Sequence, residues 1–396
     1  MLPLFINRCQ IALTALSFPP IYLLLLLLLY YVAFQIQQLK SEFGWGSAVN
    51  VNNIHDSAHH AYQKFFYDTF EWAVLENALK WPALEGSKVG TSYITLFNSI
   101  NLSCRIKVRG HNIFWGGGNK IPRWQKSMSG AELKSVLEKH IQDMTKTFKG
   151  KFQHWDVENE NIHLHYYEDI LHDPDITQWM FRETHRLDPH TKCYLNDYSV
   201  VSSRLSTLAY LDQALKFKAA GVPVGGMGIQ SHLGKNPDLT IIKKRLDEVA
   251  KAGYPIWITE LDINESDENK KSKNYEDVMR LYFSHPAVHG VMFWGFWDGR
   301  HWRPSAALAN GDHVTPNAAG RKVQNLLQKA WRTNETRDIQ HGQKLHIRAF
   351  KGNYKLLVHH NGNMIHSQNF SLNSNGNSLN INLSGSGEYT QIFVAL

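Results

Sequence analysis

The sequence predicts an α/β fold, a (β/α)8 TIM barrel followed by a small C-terminal antiparallel β module. Short apolar runs alternate with longer helix-periodic stretches from about residue 43 to residue 331. That span is close to the ~250 residues a single barrel commonly takes. Beyond it the helical periodicity stops, and the remaining residues read as strands and turns.

The apolar runs occupy residues 43–49, 70–75, 106–114, 154–157, 193–195, 227–229, 256–259 and 288–293. Between them lie amphipathic stretches, among them 131–148, 203–220, 239–252, 275–283 and 317–331. A strand that returns to the sheet after a helix implies parallel pairing through a right-handed crossover. Eight such units fit a closed barrel better than a doubly wound open sheet. No short repeat is visible, which excludes a solenoid. In the tail, residues 345–350, 354–360, 364–370, 379–383 and 389–394 read as strands. Asn361-Gly362 between two of them is a hairpin signal, and the Asn/Ser/Gly-rich 373–378 is a loop. The expected domains are therefore a leader over 1–36, a barrel over 37–335 and a β module over 336–396.

The leader is the most uneven stretch in composition. No charge occurs between Arg8 and Lys40, and Ile21 to Phe34 is apolar throughout. This predicts entry to the secretory pathway and an extracellular catalytic body. Two forms stay open: a signal peptide cut near Ala33, or an uncleaved anchor through residues 11–34. In the anchored form Arg8 keeps the N-terminus in the cytoplasm. Sequons at Asn101, Asn264, Asn334, Asn369 and Asn382 agree with export. Three cysteines exclude a disulfide scaffold, and Cys104 and Cys193 are expected to stay unpaired. The net charge of +7 comes without any Lys/Arg block, so nucleic acid is not an expected partner. His59-His60 and His163-x-His165 lack a second ligand cluster, so no metal or organic cofactor is expected. A monomer is expected.

In such a barrel the active site forms where strands end. Those positions carry Glu76-Asn77 with Lys80 and Trp81, Arg109-Gly110-His111 with Trp115, Trp155 to Glu160, Asn196-Asp197-Tyr198, Gln230-Ser231-His232, Thr259-Glu260, and Trp294 with Trp302. Nearly every strand thus delivers an amide, imidazole, carboxylate or indole to one rim. Indole faces suit the C–H surfaces of sugar rings, and amides and imidazoles suit their hydroxyls. Two carboxyls from separate strands suit glycosidic cleavage, one protonated and one ionised. The other flanking acids, Asp156, Glu158 and Asp262, are expected to be structural. Trp72, Trp155, Trp179, Trp257 and Trp331 are expected in the core.

At these residues the sequence resembles glycoside hydrolase family 10, the endo-β-1,4-xylanases. The resemblance covers about residues 40 to 333. It rests on Glu76-Asn77-Ala78-Leu79-Lys80-Trp81, Gly110-His111 through Trp115, Trp155 through Glu160, Gln230-Ser231-His232, Thr259-Glu260-Leu261-Asp262, and Trp294 with Trp302. Residues 109–115 and the run Glu158-Asn159-Glu160-Asn161 look closer to plant and invertebrate members. The resemblance implies a retaining mechanism, with Glu160 as acid/base, Glu260 as nucleophile and the two carboxyls about 5–5.5 Å apart. It implies that Asn159 bonds a sugar 2-hydroxyl, His232 orients Glu260 and Gln230 supports the site. Asn77, Lys80, His111 and Trp115 would line the subsite beside the bond, under Trp294 and Trp302. Glu76 and Tyr198 would support it.

The implied substrate is xylan or a related β-1,4-glycan. A β-glucanase or cellulase activity on the same barrel, or a lapsed enzyme that only binds glycan, remain the alternatives. One departure from the family is Gly116-Gly117-Gly118-Asn119-Lys120, where members often carry a His and a sugar-contacting Gln. Glu158, if ionised near Glu160, is expected to raise its pKa. All twelve Trp lie at or before Trp331, so the tail has no indole platform. A role in packing on the barrel is expected for it, rather than independent glycan binding.

Overall fold

A computed structural model describes residues 8–14, 32–85, 106–339, 346–360, 362–373, 380–384 and 389–395. Two units divide the chain: residues 44–324, and residues 1–43 with 325–396.

The first unit is a closed barrel of eight parallel strands. They are β1 (Gly44–Ala48), β2 (Trp72–Val74), β3 (Lys107–Trp115), β4 (His154–Asn159), β5 (Lys192–Asp197), β6 (Val224–Ile229), β7 (Ile256–Ile263) and β8 (Val288–Phe293). Each pairs with the next, and β8 closes on β1 with Gly290 opposite Gly44 and Phe293 opposite Ser47. Every expected apolar run became a strand. The crossovers carry helices such as Gly130–Phe148, Arg204–Ala219, Leu239–Val249 and Glu268–Ser284. Their starts follow capping chemistry: Ser129 and Glu132 form a reciprocal box, while Asp238 and Asp267 accept from the backbone of the first turn. Helices His60–Thr69, Tyr166–Leu171 and Ile176–Leu187 go beyond those expected.

Large aromatics fill the barrel. Trp72, Tyr194 and Trp257 pack with Ala48, Val74 and Met292, and Trp294 lies against this cluster. Glycines on facing strands make the room. A Cβ at Gly290 would sit 2.5 Å from the Trp257 ring, and Gly44 faces the same indole. Trp72, Trp155, Trp257 and Trp331 are buried as expected. Trp179 is not in the core: it is half-buried, with the Lys134 ammonium 3.2 Å over its ring.

The second unit holds two four-stranded antiparallel sheets. One orders Asn334–Ile339, Val32–Ser41, Gly352–His360 and Asn363–Leu372. The other orders His346–Phe350, Arg8–Thr14, Tyr389–Ala395 and Asn380–Ser384. His360 pairs with Asn363, which leaves a two-residue turn, and its Gly362 has φ of 78°. All five expected tail strands are present. Two further strands come from the segment expected to be a leader: the boundary at residue 36 falls inside Val32–Ser41, whose Phe34 and Ile36 are buried. The apolar block 15–31, Cys104 and Asn101 lie outside the described residues, as does most of the 373–378 loop. Among the described residues no helix is long and apolar enough to cross a membrane, and no group of His, Cys, Asp or Glu could hold a metal.

Candidate active site

The strand ends converge on one cleft of about 550 Å³. Its walls contain Glu76, Asn77, Lys80, His111, Trp115, Glu160, Tyr198, Gln230, His232, Glu260, Trp294 and Trp302. Asn159, also expected there, lies behind this lining and is fully buried. Lys120, Leu164 and Arg303 also line the cleft, although the sequence reading did not single them out.

Glu160 follows the last residue of β4 and adopts φ of 64°, a left-handed conformation that is costly for a side chain with a Cβ. Its backbone N–H donates to the Asn196 carbonyl at 2.8 Å, which ties the turn to β5. Gln230 Nε2 donates to Oε1 at 3.0 Å and Trp115 Nε1 donates to Oε2 at 2.8 Å. Burial pushes the carboxyl above its ordinary pKa. The charges of Glu260 and Asp197 add to that rise, against the bonds from Gln230 and Trp115.

Glu260, on β7, has the opposite surroundings. His232 Nε2 lies 3.0 Å from Oε2, and Asn196 Nδ2 lies 3.4 Å from Oε1. Residues His232–Leu233 add a short parallel strand to the end of β7, with His232 directly opposite Asp262. His232 Nδ1 reaches Asp262 Oδ2 at 2.8 Å. Burial alone would lower the imidazole, but bonds to Asp262 and Glu260 outweigh it and raise the pKa to about 9. The ring is therefore cationic at neutral pH and donates to both carboxylates. Asp262 also accepts from Trp302 Nε1 at 2.7 Å and from Arg303 at 3.1 Å. Asn196 joins the two halves of the site: it donates to Asn159 Oδ1 at 2.7 Å and accepts from Thr259 at 2.6 Å. Asn159 Nδ2 is left with no protein partner.

A second network holds His111. Arg109 Nε donates to Asp156 Oδ2 at 3.0 Å, its guanidinium also bonds Oδ1, and His111 Nδ1 lies 2.9 Å from Oδ2. Burial would raise Asp156, but Arg109 and His111 more than offset it and hold the carboxyl low. His111 then meets Trp294 edge-on at 5.3 Å. Lys80 Nζ donates to Asn77 at 2.7 Å and lies 4.9 Å from the Trp115 ring centre. Burial lowers its pKa, with Lys120 adding to the effect.

Glu158 does not belong to this cleft. Its side chain meets Thr177, whose hydroxyl also reaches Glu168. One hydroxyl proton cannot serve both carboxyls, so a carboxyl must donate. Burial and the nearby Glu168 push Glu158 well above its ordinary pKa, which favours its acid form as the donor. The expected influence of Glu158 on Glu160 is therefore replaced by that of Glu260 and Asp197.

A barrel whose rim pairs one carboxyl of raised pKa with one ion-paired carboxyl, between indoles and amides, is that of a glycoside hydrolase. The sequence profile of glycosyl hydrolase family 10 matches residues 36–325, and the chain belongs to this family. It is 34% identical over 323 residues to anti-sigma-I factor RsgI6 of Acetivibrio thermocellus, covering 80% of this chain and 41% of that protein. It is also 34% identical over 329 residues to endo-1,4-beta-xylanase 2 of Arabidopsis thaliana, covering 82% of this chain and 30% of that one. The chain thus spans less than half the length of either relative. The intracellular xylanase of Thermoanaerobacterium saccharolyticum superimposes with a TM-score of 0.64 at 28% identity, over 71% of this chain and 95% of that one. Xylanase 10B of Thermotoga petrophila, solved with xylobiose, shares the fold with a TM-score of 0.66 at 24% identity, over 73% of this chain and 95% of that one.

Proposed function

We propose that this chain is a retaining endo-β-1,4-xylanase that cuts the xylan backbone by double displacement. The contrast between the two carboxyls carries the reading. Glu160 is held in its acid form at higher pH than an ordinary Glu and is placed to protonate the leaving oxygen. Glu260, facing an imidazolium, attacks the anomeric carbon and forms the glycosyl-enzyme. Glu160, having given its proton to the leaving sugar, then takes one from water, whose oxygen attacks the anomeric carbon and breaks its bond to Glu260, regenerating both carboxyls. The free Asn159 Nδ2 is suited to a sugar hydroxyl, and Trp294 and Trp302 to ring faces. The substrate class follows the relatives: a variant of the Thermoanaerobacterium saccharolyticum xylanase, 26% identical to this chain, was solved with xylotriose.

The test is reducing-end release from xylan, cellulose and mixed-linkage glucan, with Glu260→Ala beside the unaltered protein. Xylan is expected to be preferred and the variant inert. No release from any substrate would refute the reading. Secretion is also proposed, on the apolar stretch Ile21 to Phe34. A reporter fused behind residues 1–43 that stays in the cytosol would exclude it.

A further inference from the structure

The turn that carries Glu160 is held from one side by a pair of groups that the proposed mechanism leaves unused. Asp197, the last residue of β5, is fully buried. Its Oδ2 accepts from the Ile162 backbone N–H at 2.9 Å, and its Oδ1 accepts from the Tyr198 N–H at 2.8 Å. The same Oδ1 lies 2.6 Å from His163 Nδ1. The His163 ring stacks on Tyr198 at 3.9 Å with 16° between planes, and its Nε2 lies 3.4 Å from the Ser206 hydroxyl. The loop also closes on itself, since the N–H groups of His163 and Leu164 both donate to the Glu160 carbonyl, at 3.1 and 3.0 Å. Asp197 thus binds Ile162 and His163, two and three residues past the left-handed Glu160, and the wall residue Tyr198.

We propose that the Asp197–His163 pair is the positioning device for Glu160: it locks the left-handed turn so that the carboxyl reaches the leaving oxygen, and it sets the charge that the carboxyl faces. This rests on Glu160 being the acid of the proposed reaction. The groups facing Glu160 are Glu260 from β7, Asp197 and Tyr198 at the end of β5, Lys80 behind β2, and His163 on its own loop; Gln230 and Trp115 are its neutral partners. The bond to Asp197 raises His163 above its ordinary pKa despite partial burial, and the negative charge of Glu160 works in the same direction. When protonated, the ring offsets the Asp197 charge that Glu160 faces.

The test compares kcat/KM for xylo-oligosaccharides, whose leaving groups need a proton, with that for an aryl xylobioside, whose leaving group does not. The proteins are the unaltered chain, Glu160→Gln, His163→Gln and Asp197→Asn. His163→Gln is expected to lose roughly tenfold on the oligosaccharides and little on the aryl glycoside. Its alkaline limb should move up by roughly half a pH unit or more, because an uncompensated Asp197 faces Glu160. Asp197→Asn should show the same split with the limb moved down. Equal losses on both substrates with unmoved limbs would overturn the inference and leave the pair as scaffold. If Asp197→Asn fails to fold, His163→Gln decides alone, since that ring is partly exposed. Glu160→Gln separates the two claims. Absence of the substrate split in that variant refutes Glu160 as the acid. Its presence, with no split in the His163 and Asp197 variants, refutes only the positioning role.

Discussion

Replacing Asp156 by Asn tests whether the barrel interior depends on charge pairing. Arg109 and Asp156 are 1% and 0% exposed. Asp156 accepts two bonds from Arg109 and one contact from His111, and Arg109 NH1 lies 3.2 Å from His154 Nδ1. Burial, with Arg109 beside it, keeps His154 well below its ordinary pKa, so it offers a neutral acceptor and no charge. Asn keeps the shape but removes the only anion in contact with the guanidinium among the described residues. Breaking one side of a buried pair costs about 3–5 kcal/mol. For a unit of this size that is a Tm lower by roughly 6–20 °C. Tryptophan emission is a suitable probe, because every Trp except Trp331 lies in the barrel unit. A loss below ~1 kcal/mol in denaturant titration would show that the guanidinium is satisfied without its partner. A paired replacement, Arg109→Met with Asp156→Leu, should recover much of the loss, because two apolar groups leave no orphan charge.

Gly290→Ala should destabilise by roughly 1–3 kcal/mol, since its Cβ would stand 2.5 Å from the rigid Trp257 ring; an unchanged urea midpoint would contradict that packing. His232 gains its folded-state pKa of about 9 from Glu260 and Asp262. Its contribution to stability is therefore complete below about pH 6.5 and is lost as pH rises through about 9. It amounts to on the order of 2–4 kcal/mol, and a flat pH dependence of unfolding over that window would refute it. Glu158→Gln removes a carboxyl whose burial raises its pKa and so costs stability as pH rises; the variant should be no less stable at neutral pH, and the alkaline limb should not move. A shifted limb would return Glu158 to the electrostatics of Glu160.

The eight strands were legible because each apolar run is bounded by the polar groups of the rim, as at Thr259-Glu260 and Gln230-Ser231-His232. The rim lining was legible for the same reason. Glu158 was expected to be structural, and the conditional pull on Glu160 rested on strand alternation, which puts residues two apart on one face. Here the alternation fails: β4 carries register irregularities against both neighbours, and Glu160 turns left-handed just past its end. The Asp197–His163 pair joins residues 34 apart, which no local pattern encodes. Lys120 and Arg303 reach the cleft from loops, where sequence carries little geometry. Strand Val32–Ser41 had a signal of its own, with Phe34, Ile36 and Gln38 alternating inward. The uncharged composition before it masked that rhythm.

That strand imposes a schedule on synthesis. Ile36 pairs with Leu356, 320 residues later, whereas consecutive barrel strands pair across a single crossover and only the closing pair spans the barrel unit. At roughly 5–20 residues per second, a ribosome needs on the order of 15–60 s to supply the partner. The barrel, complete by residue 324, can form first. Until the tail emerges, Val32–Ser41 has both of its edges open, a template for any other nascent strand. Its Gln35, Gln37 and Lys40 put polar side chains on that open strand, the kind of residue that opposes edge-to-edge pairing.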